Sequence, residues 1–178
     1  MILWEIARAT GLVAVLVYTL TAAWGTLLAG RGVQSPKGAV ELHRALQMFG
    51  LLLIVIHVVV LVLDEYANVP LRAVIGIDSR VSIVLGAIAL WLAVLLPLSF
   101  MLRKRKVVSF KFWRGLHYFA YVFWAASMAH GVWLGTDTRN PLVLTLYGLG
   151  IALVVGSAVW RFTGGAPTKE QRRTATNI

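Results

Sequence analysis

Five long apolar runs, separated by short charged segments, organise the sequence: Ala9–Ala29, Ala45–Leu63, Val81–Leu102, Phe112–Leu134 and Leu142–Phe162. A helix needs about 20 mostly apolar residues to cross a bilayer, and each run supplies them. The pattern predicts an all-α fold, a polytopic transmembrane helix bundle of five membrane spans. The first run is too long for a signal peptide. Glu5 and Arg8 precede it and no soluble mature domain follows, so it reads as a membrane helix. Residues 1–163 are expected to form the membrane domain. Residues 164–178, rich in Gly, Pro, Thr and charge, read as a disordered cytoplasmic tail. The longest loop is Asp64–Arg80, whose apolar middle, Val69–Ile77, is expected to lie along the interface.

Composition sharpens this picture. The chain is 59% hydrophobic and 13% charged, with mean hydropathy +0.79; soluble domains run near 25% charged. No cysteine is present, which removes iron–sulfur clusters, covalently attached haem and disulfides. No glycine-rich loop follows a strand-like run, so a nucleotide-binding fold is not expected. The net charge is +10, but the basic residues lie between apolar runs and report topology rather than nucleic acid. Thirteen of the 17 fall on one side, including Arg31, Lys37, Arg44, the Arg103–Lys106 run, Lys111, Arg114, Arg161, Lys169, Arg172 and Arg173. The positive-inside rule then places the N-terminus outside and the C-terminus in the cytoplasm. Trp4, Trp24, Trp113 and Trp133 near span ends read as an aromatic belt.

Candidate chemistry concentrates in four histidines, all within or at the edge of apolar runs. His43 and His57 share the second run and His117 and His130 the fourth. Ionisable residues inside a membrane are costly and mark functional sites by default. Fourteen residues separate His43 from His57, about 21 Å along a helix and only about 40° out of phase. The second and fourth spans run in the same direction, so His43 and His117 share one depth and His57 and His130 another. Paired imidazoles across a gap suit the axial positions of b-type haem; interhelical hydrogen bonding or a proton relay are the plainer readings. One feature departs from an ideal helix. The 13 residues from His117 to His130 rotate about 220° beyond whole turns, so a distortion is expected, with Gly115 or Ser127 as its seat. Gly50, midway between His43 and His57, offers a bare face to a flat macrocycle. Phe123 lies at the level between the two pairs.

The segments HRALQMFGLLLIVIH, from His43 to His57, and HYFAYVFWAASMAH, from His117 to His130, resemble the ferric reductase-like transmembrane domain. That domain is shared by NADPH oxidases, ferric reductases and small bacterial haem membrane proteins. The resemblance covers nearly the whole chain. It implies two stacked b-type haems, His43 with His117 on the cytoplasmic side and His57 with His130 on the outer side, with Phe123 between them. It further implies electrons carried outward across a bacterial cytoplasmic membrane. No flavin or nicotinamide domain is present, so a separate cytoplasmic flavin/NAD(P)H reductase would be the donor. The extracytoplasmic acceptor would be a protein, a ferric chelate or oxygen.

Arginines fork well onto carboxylates, so Arg44 and Arg114 inside, and Arg8, Arg72, Arg80 and Arg139 outside, are candidate partners for haem propionates. Taken singly, each reads more readily as an interfacial anchor. Two other functions compete. One is a quinol-linked cytochrome b subunit of a larger dehydrogenase. The other is a metal-ion transporter lined by histidine and entered past Asp64, Glu65 and Asp78, although spans two and four hold no carboxylate at midplane depth.

Overall fold

The computed structural model describes residues 1–30 and 37–163. Arg31, Lys169, Arg172, Arg173 and the expected tail lie outside the described residues. The described chain is all-helical: α1 (Ile2–Gly30), α2 (Lys37–Leu63), α3 (Leu71–Val74), α4 (Val81–Lys104), α5 (Phe110–His117), α6 (Phe119–Leu134) and α7 (Pro141–Thr163), with a 3₁₀ turn at Thr136–Arg139. Four of these helices, α1, α2, α4 and α7, are long and apolar enough to cross a membrane, the character of a membrane protein.

The fourth apolar run is not one helix. It breaks at Tyr118 into α5 and α6. The Tyr118 amide donates to the Gly115 carbonyl at 3.2 Å, and the Tyr121 amide to the Tyr118 carbonyl at 3.1 Å. Both bonds span three residues rather than four, so the helix is over-wound there. The distortion expected at Gly115 or Ser127 therefore centres on Tyr118, immediately after His117, with Gly115 contributing its carbonyl. Two other helices are longer than their apolar cores: α1 includes Glu5 and Arg8, and α2 begins well before Ala45 and carries His43 within it.

Helix α1 packs along α2 and presents its other faces to α7 and α6, while α4 packs on α6 and α5 and touches α2 only sparsely. The buried faces are built from small residues, such as Ala14, Ala23 and Thr26 of α1 and Ala87, Ala93 and Ser99 of α4. Lipid is as apolar as leucine, so membrane helices gain by close backbone approach, which small side chains permit. The Thr21 hydroxyl donates to the Val17 carbonyl one turn back at 2.7 Å, which satisfies it without a partner helix, while Thr26, bonded in the same way to Ala22, also meets the Tyr121 hydroxyl of α6 at 2.9 Å. Large apolar side chains such as Leu52, Val59, Leu149 and Leu153 face outward.

The helices α2 and α6 do not pack on each other. They stand on opposite sides of a central gap flanked by α1 and α4. Tyr18, Ala89, Ala93, Leu96, Phe123 and Ala126 close its middle.

Candidate functional site

The four histidines meet across this gap in two pairs. His43 and His117 have ring centroids 6.5 Å apart with planes at 67°. His57 and His130 are 6.4 Å apart at 90°. Two imidazoles hydrogen-bonded to each other, at an N···N distance of about 2.9 Å, would bring the centroids to about 5 Å. Two imidazoles on opposite sides of one metal ion, at bonds of about 2 Å, place them about 6 Å apart. The observed spacing matches the second arrangement.

The His57 and His130 rings are seated by the same local device. His57 Nδ1 donates to the Ala7 carbonyl at 2.8 Å, and His130 Nδ1 to the Ser82 carbonyl at 2.7 Å. A carbonyl only accepts, so Nδ1 carries the proton and Nε2 keeps its lone pair free. This is the usual second contact of a metal-bound histidine. Four residues after each carbonyl stands a glycine. A Cβ on Gly11 would lie 2.9 Å from the His57 ring, and one on Gly86 would lie 2.6 Å from the His130 ring. In a helix the Cβ leans back over the preceding turn, so any larger residue there would cover the carbonyl. The third case is Gly25, whose Cβ would come within 2.7 Å of the His43 ring. Its carbonyl partner, Thr21, neighbours His43 Nδ1 without reaching hydrogen-bond geometry. His117 is held differently: Trp113, one turn earlier on α5, stacks on it at 5.2 Å and 28°.

Gly11, Gly25, Gly86 and Trp113 were missed by the sequence reading. A signal was present. Ala7–Gly11 and Thr21–Gly25 are small-x-x-x-glycine steps 14 residues apart, the same interval as His43 to His57. Trp113, expected in the aromatic belt, packs against Phe100, Phe110 and His117.

Phe123 is buried between the two pairs and meets Tyr18 edge to face at 4.5 Å. Tyr18 fills the bare face of Gly50, where a Cβ would lie 2.7 Å from its ring, and its hydroxyl donates to the Gln47 carbonyl at 3.2 Å. The glycine therefore receives an aromatic side chain of α1.

A largely apolar cavity of about 460 Å³ surrounds the His57–His130 pair, within the size range of cofactor sites. Arg8 and Arg80 line it; Arg72 and Arg139 are exposed and do not. Arg8 reaches Asp137 through a two-bonded fork and also pairs with Glu5. Arg8 thereby holds the Asp137 carboxyl below the usual carboxylate range. Arg80 pairs with Asp78 at 3.0 Å and lowers its pKa to about 2. At the other end Arg44 lies over the Phe100 ring at 5.0 Å, while Arg114 is exposed.

Among the described residues no three His, Asp or Glu side chains cluster to hold a metal ion. Two imidazoles alone leave most of a coordination sphere empty, so the donor set fits a metal that brings its own equatorial donors, as in a macrocycle. At His57 and His130 the apolar cavity, and ring nitrogens left free by the Ala7 and Ser82 carbonyls, have room for a flat group of that kind. The chain matches no protein-family model, no curated protein and no solved structure.

Proposed function

We propose that this protein is a di-haem b membrane cytochrome that carries electrons across the bilayer. The donor is a separate cytoplasmic flavoprotein and the acceptor is extracytoplasmic. The observation that carries the reading is the pair of imidazole pairs, 6.5 and 6.4 Å between centroids, lying across a gap where helices do not pack. His43 and His117 would hold one haem and His57 and His130 the other, and haem held there would supply one-electron transfer. The carbonyls of Ala7 and Ser82 fix the tautomer of the outer ligands. Tyr18 and Phe123 exclude water from the space between the two levels.

In this reading α5 and α6 together make the fourth of five crossings, the N-terminus lies outside, and His43 and His117 face the cytoplasm. A membrane potential negative inside favours outward electron movement by about 2.3 kcal/mol per charge per 100 mV. A histidine-lined ion path would need ligands in sets of three or four, which the described residues do not provide.

The test is spectroscopic. Purified protein should show a b-type spectrum that sharpens on dithionite reduction, with two haems per chain by pyridine haemochrome. His43→Ala and His117→Ala should each remove the same haem, and His57→Ala and His130→Ala the other. A colourless, correctly inserted protein would end the reading. So would loss of one common haem from His43→Ala and His130→Ala.

A further inference from the structure

Helices α6 and α7 both pack on α1 but scarcely on each other, and the seam between them has two unlike halves. Along the first half of α7 it is closed: Tyr147 reaches the bare face of Gly131 and joins Met128 in a buried cluster. From Val154 to Thr163 it opens into a groove of about 480 Å³, with Trp124 and Ala125 on one wall and Val155, Ala158 and Val159 on the other. Ala125 and Ala158 leave the space that longer side chains would fill. At the rise of a helix this stretch is about 14 Å long, about half of a bilayer's hydrocarbon core.

A cation stands at the mouth. Arg161, in the last turn of α7, donates to the Tyr121 hydroxyl at 3.4 Å, and its guanidinium lies 5.3 Å from the Phe162 ring centre and 5.9 Å from that of Tyr118. Tyr121 is itself fixed: its hydroxyl donates to that of Thr26 at 2.9 Å, whose own proton goes to the Ala22 carbonyl. Tyr121 and Phe162 both line the groove, so the charge is held at its end. A guanidinium carries five N–H donors, of which the Tyr121 hydroxyl takes one. Among the described residues no carboxylate lies within ion-pair distance of Arg161, whereas Arg8 and Arg80 each have one.

An apolar slot one leaflet deep, ending on an unbalanced cation, has the form of a single lipid. A partner helix would need a seam open through both leaflets, and Tyr147 shuts this one halfway. We infer that the α6–α7 groove binds one anionic phospholipid, an acyl chain lying against Ala125 and Ala158 and the phosphate on Arg161. Arginine forks onto phosphate oxygens, and basic residues at a membrane surface attract lipids of net negative charge. A choline or ethanolamine headgroup would return the positive charge that Arg161 leaves unbalanced. The site requires only that the chain lie in a membrane and is independent of what the histidines hold.

The full chain is reconstituted into phosphatidylcholine nanodiscs containing a minor fraction of phosphatidylglycerol with a photoactivatable diazirine in its acyl chain, and cross-linked peptides are mapped. Labelling should concentrate on Tyr121–Ala125 and Val154–Phe162, several-fold above Leu52 and Val59, which face outward on α2. The same diazirine carried on phosphatidylcholine should label the groove no more than α2. Arg161→Gln should cut phosphatidylglycerol labelling of the groove about tenfold, the scale of a charged hydrogen bond, and Arg161→Lys should keep most of it. Ala158→Trp, which fills the slot and retains the cation, should abolish it. Native mass spectra of the solubilised chain should retain one phosphatidylglycerol. Even labelling of the groove and α2 overturns the inference and makes the lipid there ordinary annulus. Groove labelling that is equal for the two lipids and indifferent to Arg161→Gln also overturns it. So does a groove protected from both probes in a chain whose mass spectrum shows a second copy in place of lipid. If Arg161→Gln fails to insert, the two lipids compared on the unaltered chain decide the matter.

Discussion

Gly11, Gly25 and Gly86 act through what they lack. Each exposes a stretch of helix against which an imidazole can settle, and each clearance is below ordinary van der Waals contact for a methyl group. Adding that methyl forces a shift of ring or helix; overpacking of this kind typically costs about 1–3 kcal/mol. On the di-haem proposal, Gly11→Ala and Gly86→Ala should therefore deplete the haem at His57 and His130, and Gly25→Ala the one at His43 and His117, each reducing haem per chain from two towards one in the purified protein. Gly38→Ala, which meets open space, should leave the ratio at its wild-type value. Equal haem content in all four variants would show that the cradles are incidental.

Between elements, two features set the register of the site. The first is the break between α5 and α6. One alanine inserted between Tyr118 and Phe119 turns His117 relative to His130 by about 100° and shifts it about 1.5 Å. The two pairs then cannot both form, and the chain should retain about one haem by pyridine haemochrome. The second is the Arg8–Asp137 fork, which ties the start of α1 to the turn between α6 and α7. Asp137 has a lowered carboxyl pKa in the folded protein. Its stabilising contribution is present above the ordinary carboxylate value of about 4 and is lost as pH falls through the lowered one. Asp137→Asn should melt below wild type at pH 7, with the gap closing in thermal unfolding as the pH falls below the ordinary carboxylate range. Asp78, at about 2 beside Arg80, stays ionised over most of that range.

At the scale of the whole molecule, the charge distribution and the bundle make one statement about sidedness. The histidine pairs lie near opposite ends, with the Asp64–Arg80 loop at one end and the Arg103–Lys106 run at the other. The chain has no cysteine, so single cysteines are clean reporters. In intact cells an impermeant maleimide should label Glu65→Cys and spare Lys104→Cys until the membrane is opened. The reverse pattern would invert the orientation proposed above.

The sequence by itself located the apolar helices, four of them long and apolar enough to cross a membrane, and the spacing of the histidines along them. Those properties follow from local composition and from the fixed 1.5 Å rise of a helix. It also pointed to the ring pairings, because two parallel helices place equal depths together, and to the site of Phe123. Tertiary structure decided what periodicity cannot carry. An ideal 3.6-residue repeat misplaces His117 relative to His130, and only the over-wound turn at Tyr118 shows where the error is absorbed. The value of Gly11, Gly25 and Gly86 depends on which ring from another helix arrives beside them. Trp113 looked like an interfacial anchor because span ends and site walls coincide at that depth; which way it turns is fixed by Phe100 and Phe110, brought to it by α4 and by the start of α5. Residues that act through their own chemistry were legible in the chain, while residues that act through the space they leave or the neighbour they meet became so only once the helices were packed.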